Sequence, residues 1–399
     1  MSQPLASLRV LDVSQVMAGP FCCRVLADLG ADVIKVEPPA GDQARRAMEF
    51  RLKGEDSPGF YALNRNKRSI ALDLKTESGL TVFKRLVAEA DIMVENSVPG
   101  AAERLGIGYA AMSTINPGLI YASISGFGQD GPWARRPGFD LIAQAASGVM
   151  AAMGEPGGPP SKSSIPLGDL GAGLFSAVGI LSAVIRRAGT GEGAYIDASL
   201  YEAAIGLSIW ESAEFFATGQ SPVPIGTQNR MSAPYQAVRA RDRAFVLGAA
   251  NERLWQRLCA VLERPDLADD PRFALNAARM KNRAALIAEI ETTLATADAD
   301  TWVERLLAAG VPAGPINTFE EAVTNEHAVA RDQTIEMPHN VEGLIKALGF
   351  PFKMTGDAMS VRHPPPALAE HSADILDELG LSSERDALAD AGAFGPSAK

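Results

Sequence analysis

The chain has 399 residues, 47% hydrophobic and 21% charged, a composition that fits a soluble globular protein long enough for two separate cores. Its net charge of −11 and pI near 5.0 argue against a general nucleic-acid binder, whose phosphate contacts call for a basic face. Three cysteines, two of them adjacent at Cys22 and Cys23, cannot build a disulfide framework and fit a reducing cytoplasm.

The amino terminus has no basic region followed by an apolar stretch, so no signal peptide is expected. Apolar runs at Leu8–Val13, Asp32–Glu37, Ala90–Glu95 and Leu119–Ile124 read as strands, with a helix around Phe21–Leu29. That alternation predicts a parallel, Rossmann-like α/β structure. The first turn, Gln-Val-Met-Ala-Gly-Pro-Phe at 15–21, lacks Gly-x-Gly-x-x-Gly, so a nicotinamide dinucleotide is not expected there. At 165–174, Ile-Pro-Leu-Gly-Asp-Leu-Gly-Ala-Gly-Leu opens a stretch with no charge from Leu170 to Ile185. Within it Ala172, Ser176, Gly179 and Ala183 recur at helical spacing, which predicts a buried helix with Asp169 as its N-cap. The run is short for a membrane span and ends in Arg186 and Arg187. An aspartate at a helix start is ordinarily structural, but the amides and dipole there favour the ionised form that a nucleophile needs.

A strand at Tyr195–Ser199 and a helical stretch at Tyr201–Thr218 lead to a Pro/Gly-containing link, Gly219–Gly226. Tyr235–Val238 and Ala244–Leu247 flank a polar turn at Arg241 and Asp242 and read as a hairpin. Helices at about 252–262, 277–296 and 300–309 complete a smaller α+β domain. Gly-Val-Pro-Ala-Gly-Pro-Ile-Asn at 310–317 reads as a rigid exit turn or a short edge strand. The chain then runs through His363 and three prolines to a polar, amphipathic end.

Histidines 327, 339, 363 and 371 lack ligand spacing, so no metal site is expected. No Gly-x-Ser-x-Gly elbow and no phosphate loop is present. Carboxylates remain the candidate nucleophiles, with Cys22 and Cys23 read as small core residues.

Several motifs stand in order along the chain: Val-Met-Ala-Gly-Pro-Phe (16–21), Ala-Asp-Val-Ile-Lys-Val-Glu (31–37), Asn-Arg-Asn-Lys-Arg-Ser-Ile (64–70) and Val-Glu-Asn (94–96). Gly-Phe-Gly-Gln-Asp-Gly-Pro (126–132), Gly-Asp-Leu-Gly-Ala-Gly (168–173) and the 310–317 segment continue the series. Together, from Leu8 to about His371, they resemble the class III CoA-transferase family (CaiB/BaiF), to which the formyl-CoA:oxalate and carnitine CoA-transferases belong. The resemblance implies ring-shaped chains interlocked as a homodimer. It divides each chain into 1–200 as the first part of a large CoA-binding domain, 201–225 as a linker helix, 226–320 as the small α+β domain and 321–399 as a return segment completing the large domain.

In chemistry, the resemblance implies that Asp169 attacks an acyl-CoA thioester to give a mixed anhydride and CoA thiolate. CoA then returns to make an aspartyl-CoA thioester, and the acceptor carboxylate completes the exchange. Acyl-CoA is a substrate, no cofactor stays bound, and neither ATP nor metal is required, because exchanging a thioester between carboxylates is close to thermoneutral. CoA contacts carry over to Gln15, Val16, Met17, Ala18, Leu72, Lys75, Asn96 and Arg104, with Lys75 and Arg104 toward the phosphates. Two positions depart from family members: Pro38 stands where the formyl transferase has an arginine, and Ser97 where the carnitine enzyme has a basic contact. Phe139 and Asp140 complete the expected site, Asp140 as a supporting acid or as an N-cap. Gly168, Gly171 and Gly173 either admit substrate or allow tight helix packing.

Two alternatives are weighed. The α-methylacyl-CoA racemase branch needs two opposed acid/base groups and carries Gly-His-Asp, whereas this chain has Gly138-Phe139-Asp140, which disfavours proton transfer. A noncatalytic CoA-binding protein is opposed by the intact Gly-Asp-Leu-Gly-Ala-Gly. The acceptor is a small carboxylic acid: the 226–235 segment lacks the glycine run of the oxalate enzyme and looks closest to members that use succinyl-CoA with glutarate or malate. Arg230 is the candidate partner of a distal carboxylate. Neither nucleic acid nor membrane is expected as a partner.

Overall fold

The computed structural model describes residues 3–355 and 359–395. β1 (Arg9–Asp12) leads through α1 (Ala18–Asp28) to β2 (Asp32–Glu37), and α2 (Pro58–Asn64) precedes β3 (Lys67–Ala71). α3 (Glu77–Ala88) returns the chain to β4 (Ile92–Glu95), and α4 (Ala101–Arg104) and α5 (Tyr109–Ile115) precede β5 (Ile120–Ser125). α6 (Asp140–Ala146), α7 (Val149–Ala152) and α8 (Leu167–Thr190) lead to β6 (Ala194–Ser199), then α9 (Leu200–Leu207) and α10 (Ile209–Thr218) follow. The six strands form one parallel sheet in the order β3-β2-β1-β4-β5-β6, the α/β architecture read from the sequence. Successive strand residues face opposite ways, so the near-continuous apolar runs feed two cores. Val10, Val33 and Val94 pack under α1 and α8. Leu11, Ile34 and Met93 pack with Phe83 and Leu86 of α3 and with Ile375 and Leu376 of the returning chain end.

α8 differs from its expected form in two ways. It starts at Leu167 after Pro166, so Asp169 lies inside the first turn and is not the N-cap. Capping comes instead from Asp140, whose Oδ1 accepts the Gly168 N–H at 2.8 Å and the Asp169 N–H at 3.4 Å. Nor is the helix buried all round: Gly171, Ala172, Ser176, Ile180 and Ala183 are covered, while Leu174, Phe175, Val178 and Ile185 are exposed. By length and composition it is apolar enough to cross a membrane, and 44% of its most apolar stretch is buried. Its packing against α1, α9 and the β5–β6 edge is that of a core helix with one open face.

The chain divides into two compact units, one of Met1–Met150, Lys162–Gln220 and His327–Lys399, the other of Ala151–Ser161 and Ser221–Glu326. The smaller unit is therefore wider than 226–320 and takes in 151–161, which the Gly226 N–H ties down by donating to the Gly154 carbonyl at 2.9 Å. In place of a single linker helix at 201–225 stand α9 and α10 of the larger unit. Ser208 (φ −90°, ψ 48°) breaks them apart, its hydroxyl donating to the Ala204 carbonyl at 3.0 Å.

In the smaller unit β7 (Tyr235–Arg239) and β8 (Ala244–Gly248) make the expected hairpin, and β9 (Ala313–Pro315) joins as a short edge strand where proline is tolerated. α11 (Glu252–Val261), α12 (Pro265–Asp269), α13 (Asn276–Lys281), α14 (Arg283–Leu294) and α15 (Ala299–Ala308) pack Trp255, Leu258, Leu286 and Trp302 onto Phe245. The helix expected over 277–296 is broken at Asn282, whose side-chain amide donates to the Ala278 carbonyl at 2.9 Å. In the larger unit a second hairpin, β10 (Thr334–His339) with β11 (Gly343–Leu348), was not anticipated, and it carries Pro338 within a strand. It is allowed in a sheet of two strands, where every strand is an edge. Residues 1–2, 356–358 and 396–399 of the expected 1–200 and 321–399 segments lie outside the described residues.

Candidate active site

β1 and β4 are neighbours whose connections leave in opposite directions, and such a switch point opens a crevice at the carboxyl ends of the strands. The loop after β1 and the residue after β4 meet there. Gln15 donates its N–H to Asn96 Oδ1 at 2.8 Å, and Asn96 Nδ2 donates to the Gln15 carbonyl at 2.8 Å. Val16 is held at φ 69°, a left-handed conformation that a β-branched residue rarely adopts. Met17 caps α1 and Ala18 begins it, buried. Five residues singled out from the sequence, Gln15, Val16, Met17, Ala18 and Asn96, are thus one constellation.

Asp169 comes to the same place through the packing of α8 on α1. Gly173, one turn beyond Asp169, sits so close that a Cβ there would lie 2.8 Å from the Ala18 carbonyl oxygen and 3.4 Å from the Cys22 nitrogen. Only glycine permits this approach. Gly168 and Gly171 are likewise filled by neighbours, the first by Asp140 and Leu200, the second by Leu207 and Ala203, so their helix-packing role is visible. The half-buried Asp169 carboxyl is pushed up to about 7, first by desolvation and then by the negative Asp140 beside it. This reverses the expectation that the helix start favours ionisation: one turn of amides is outweighed by burial and a like charge, especially as Asp140 itself accepts the Gly168 and Asp169 amides. Asp140 Oδ2 is oriented by Gln144 Nε2 at 2.7 Å. Asp140 is the first residue of α6, preceded at the cap position by Phe139, which is 78% exposed.

The remaining expected residues differ in enclosure. Leu72, just past β3, is buried and donates its N–H to the Glu37 carbonyl at 2.8 Å. Lys75 is exposed, its N–H on Asp73 Oδ1 at 3.1 Å, and Arg104 is exposed at the end of α4. Ser97 donates its N–H to Glu95 Oε2 at 2.7 Å. Arg230, in the smaller unit, donates from Nη2 to the Val223 carbonyl at 3.1 Å. Cys22 and Cys23 are buried in the core; burial, then Asp12, pushes the Cys22 thiol up to about 12, which removes it as a thiolate nucleophile. Among the described residues, no three His, Cys, Asp or Glu side chains gather in a way that would hold a metal.

Sequence reasoning missed a buried ionic cluster beneath the first loop. Lys35 Nζ lies 2.8 Å from Asp42 Oδ2 and 3.7 Å from Asp12 Oδ2, and Lys67 Nζ lies 2.7 Å from Asp12 Oδ2. Burial alone would push the Asp12 carboxyl up, but Lys35 and Lys67 together hold it down at about 2. The available signal was Lys35 itself, a lysine inside the apolar run Asp-Val-Ile-Lys-Val-Glu of a central strand.

A family model described as CoA-transferase family III matches residues 5–372. The chain is 40% identical over 378 residues to an acetyl-CoA:oxalate CoA-transferase of Acetobacter aceti, a match spanning 94% of this chain and 95% of that one. It is also 40% identical over 387 residues to a succinyl-CoA:mesaconate CoA-transferase of Haloarcula hispanica, spanning 95% and 97%. Among solved structures, a CaiB/BaiF family protein from Brucella suis aligns with a TM-score of 0.86 at 38% identity, covering 95% of this chain and 100% of that one. Motifs, sheet order and near full-length identity agree: the chain belongs to CoA-transferase family III and is an enzyme of that class.

Proposed function

We propose that this enzyme moves CoA from an acyl-CoA donor, succinyl-CoA among them, to a small dicarboxylic acid, with Asp169 as the nucleophile. The observation that carries the reading is the Asp169 carboxyl itself, half-buried one helical turn from the point where α8 touches the Gln15–Ala18 loop, with Asp140 against its amide. In the proposed sequence an Asp169 oxygen attacks the thioester carbonyl and the C–S bond breaks, giving the mixed anhydride and CoA thiolate. The thiolate attacks the aspartyl carbonyl, releasing the donor acid and leaving an aspartyl-CoA thioester. The acceptor carboxylate then attacks that thioester to form a second anhydride, and CoA returns to the acceptor's acyl carbon, restoring the Asp169 carboxylate. The two factors that raise Asp169 support covalent capture. A desolvated carboxylate beside another negative charge loses both penalties when it becomes a neutral acyl derivative.

Both relatives described above are named for dicarboxylate acceptors, oxalate and mesaconate, but for different donors. The acceptor class is therefore better supported than the donor, and oxalate stays in the test panel despite the missing glycine run. A homodimer belongs to the same proposal: α8, α9 and α10 leave Val178, Leu207, Trp210 and Phe216 exposed, Phe216 to 82%, an apolar extent that calls for a cover. Cytoplasmic placement, suggested by three free thiols, is also proposed.

The test is mass-spectrometric detection of new CoA esters after mixing the enzyme or its Asp169→Ala variant with succinyl-CoA, acetyl-CoA and a panel of mono- and dicarboxylic acids. Esters from the unaltered enzyme alone support the reading and name the acceptor. α-Proton exchange from a branched acyl-CoA in deuterated water, without new esters, overturns it in favour of racemase chemistry.

A pH prediction separates the roles of the two aspartates. Asp140→Asn keeps an oxygen for the Gly168 amide but removes the negative charge that helps hold Asp169 up. The acid limb of kcat/KM, expected near pH 7 for the unaltered enzyme, moves lower by about one pH unit and stays above the ordinary aspartate value because desolvation remains. An unmoved limb in the pH–rate profile would show that Asp140 does not act on Asp169 through its charge.

A further inference from the structure

Val16 presents a conformational cost without a packing reason. Its φ is 69°, yet the residue is 40% exposed, so burial does not explain why the chain tolerates a left-handed β-branched residue there. The conformation is fixed from beneath. Asp42 Oδ1 accepts the Val16 N–H at 3.0 Å and the Ala44 N–H at 2.8 Å, and the Asp42 N–H donates to Glu37 Oε2 at 2.9 Å. Asp42 is fully enclosed, and its other oxygen is ion-paired to buried Lys35, 2.8 Å away. Lys35 Nζ also donates to the Ser14 carbonyl at 3.0 Å, joining the same loop two residues earlier. From the other side Asn96 clasps both backbone groups of Gln15. Gly19 has no room for a Cβ, which would lie 2.2 Å from Ser14, so the loop is closed tightly onto the start of α1. A solvent-facing residue held in strain by a buried charge is the pattern of a preset binding loop.

We propose that Asp42 is a positioning residue for acyl-CoA. Its carboxylate, locked by Lys35, holds Val16 left-handed and so presets the Gln15–Ala18 backbone that meets the bound CoA. This rests on the reading of that loop as the CoA contact. Asp42 touches no substrate; it acts through Val16.

The experiment measures CoA affinity by calorimetry, KM for succinyl-CoA, kcat and melting temperature on the full-length protein, starting with the unaltered enzyme. If that protein binds no CoA and makes no ester, the functional reading fails first. With it active, Asp42→Ala is expected to weaken CoA binding and raise KM about tenfold, with kcat changed less than threefold. In a Val16→Gly background the same change is expected to cost less than threefold, because glycine takes the left-handed conformation without the tether. A folded Asp42→Ala with unchanged KM and affinity, altered only in melting temperature, would overturn the proposal, as would an equal loss in both backgrounds. Should Asp42→Ala fail to fold, Val16→Pro decides. It forces φ to about −65° and deletes the N–H while leaving the buried charges untouched, so unchanged CoA affinity relative to Val16→Ala overturns the proposal.

Discussion

Asp169→Asn is expected to lower transfer by at least about a thousandfold while leaving CoA affinity within a few fold of the unaltered enzyme, because an amide cannot form either acyl intermediate. The same variant is expected to be more stable than the parent at neutral pH. Burial, then Asp140, raises the folded-state value to about 7 from an ordinary 3.8. Between those values the native state holds the proton more tightly than the unfolded chain, so stability falls as pH rises through that window. The ionised carboxylate therefore costs the fold most above pH 7 and nothing below about 3.8. With solvent reaching the half-exposed group, asparagine gains on the order of 2 kcal/mol at pH 8, and the advantage vanishes in acid. Chemical denaturation of both proteins at pH 4 and pH 8 measures this; a gain that is independent of pH would show that ionisation of Asp169 is not its source. Full transfer activity in the variant would remove Asp169 as the nucleophile.

Gly173→Val is expected to damage both stability and catalysis, though residue 173 carries no functional group. Its Cβ would meet the Ala18 carbonyl oxygen at 2.8 Å and the Phe21 ring at 3.0 Å. Backbone cannot swing aside as a flexible side chain can, so α8 must part from α1, at a cost of about 3 kcal/mol. Asp169, the proposed nucleophile, rides on the displaced turn. A shift of about an ångström relative to the Gln15–Ala18 loop lowers kcat on the order of a hundredfold. Gly179→Ala is the control: its Cβ meets Ile196 at an ordinary 3.4 Å, and alanine suits a helix interior better than glycine. The two variants compared by melting temperature and kcat test the claim. Equal, small effects would mean that the α1–α8 contact does not set the site.

Much of this fold is written in local patterns. The four apolar runs read as strands became β1, β2, β4 and β5, and the small-residue stripe marked the face of α8 that packs inward. The breaks at Ser208 and Asn282 were not legible, because a helical period reports which face is apolar and not where the backbone leaves the helix; at both positions the side chain donates to a carbonyl four residues back. The β10–β11 hairpin was not read from the sequence; its Pro338 is compatible with a strand only because each strand of a two-stranded sheet is an edge.

For the site, the sequence by itself determined the family, through motifs whose order marks it, and supplied the candidate for the chemistry, an aspartate opening an apolar helix amid glycines. Those are properties of neighbours along the chain, set by spacing and residue type. Only the tertiary structure decided how they behave. Asp140 and Asp169 are 29 residues apart, and Gln15 and Asn96 are 81 apart, yet each pair meets at the sheet's carboxyl edge. Ionisation follows desolvation and distance, not sequence position, so the helix start that promised an anionic Asp169 was overruled first by burial and then by a neighbour of like charge, Asp140.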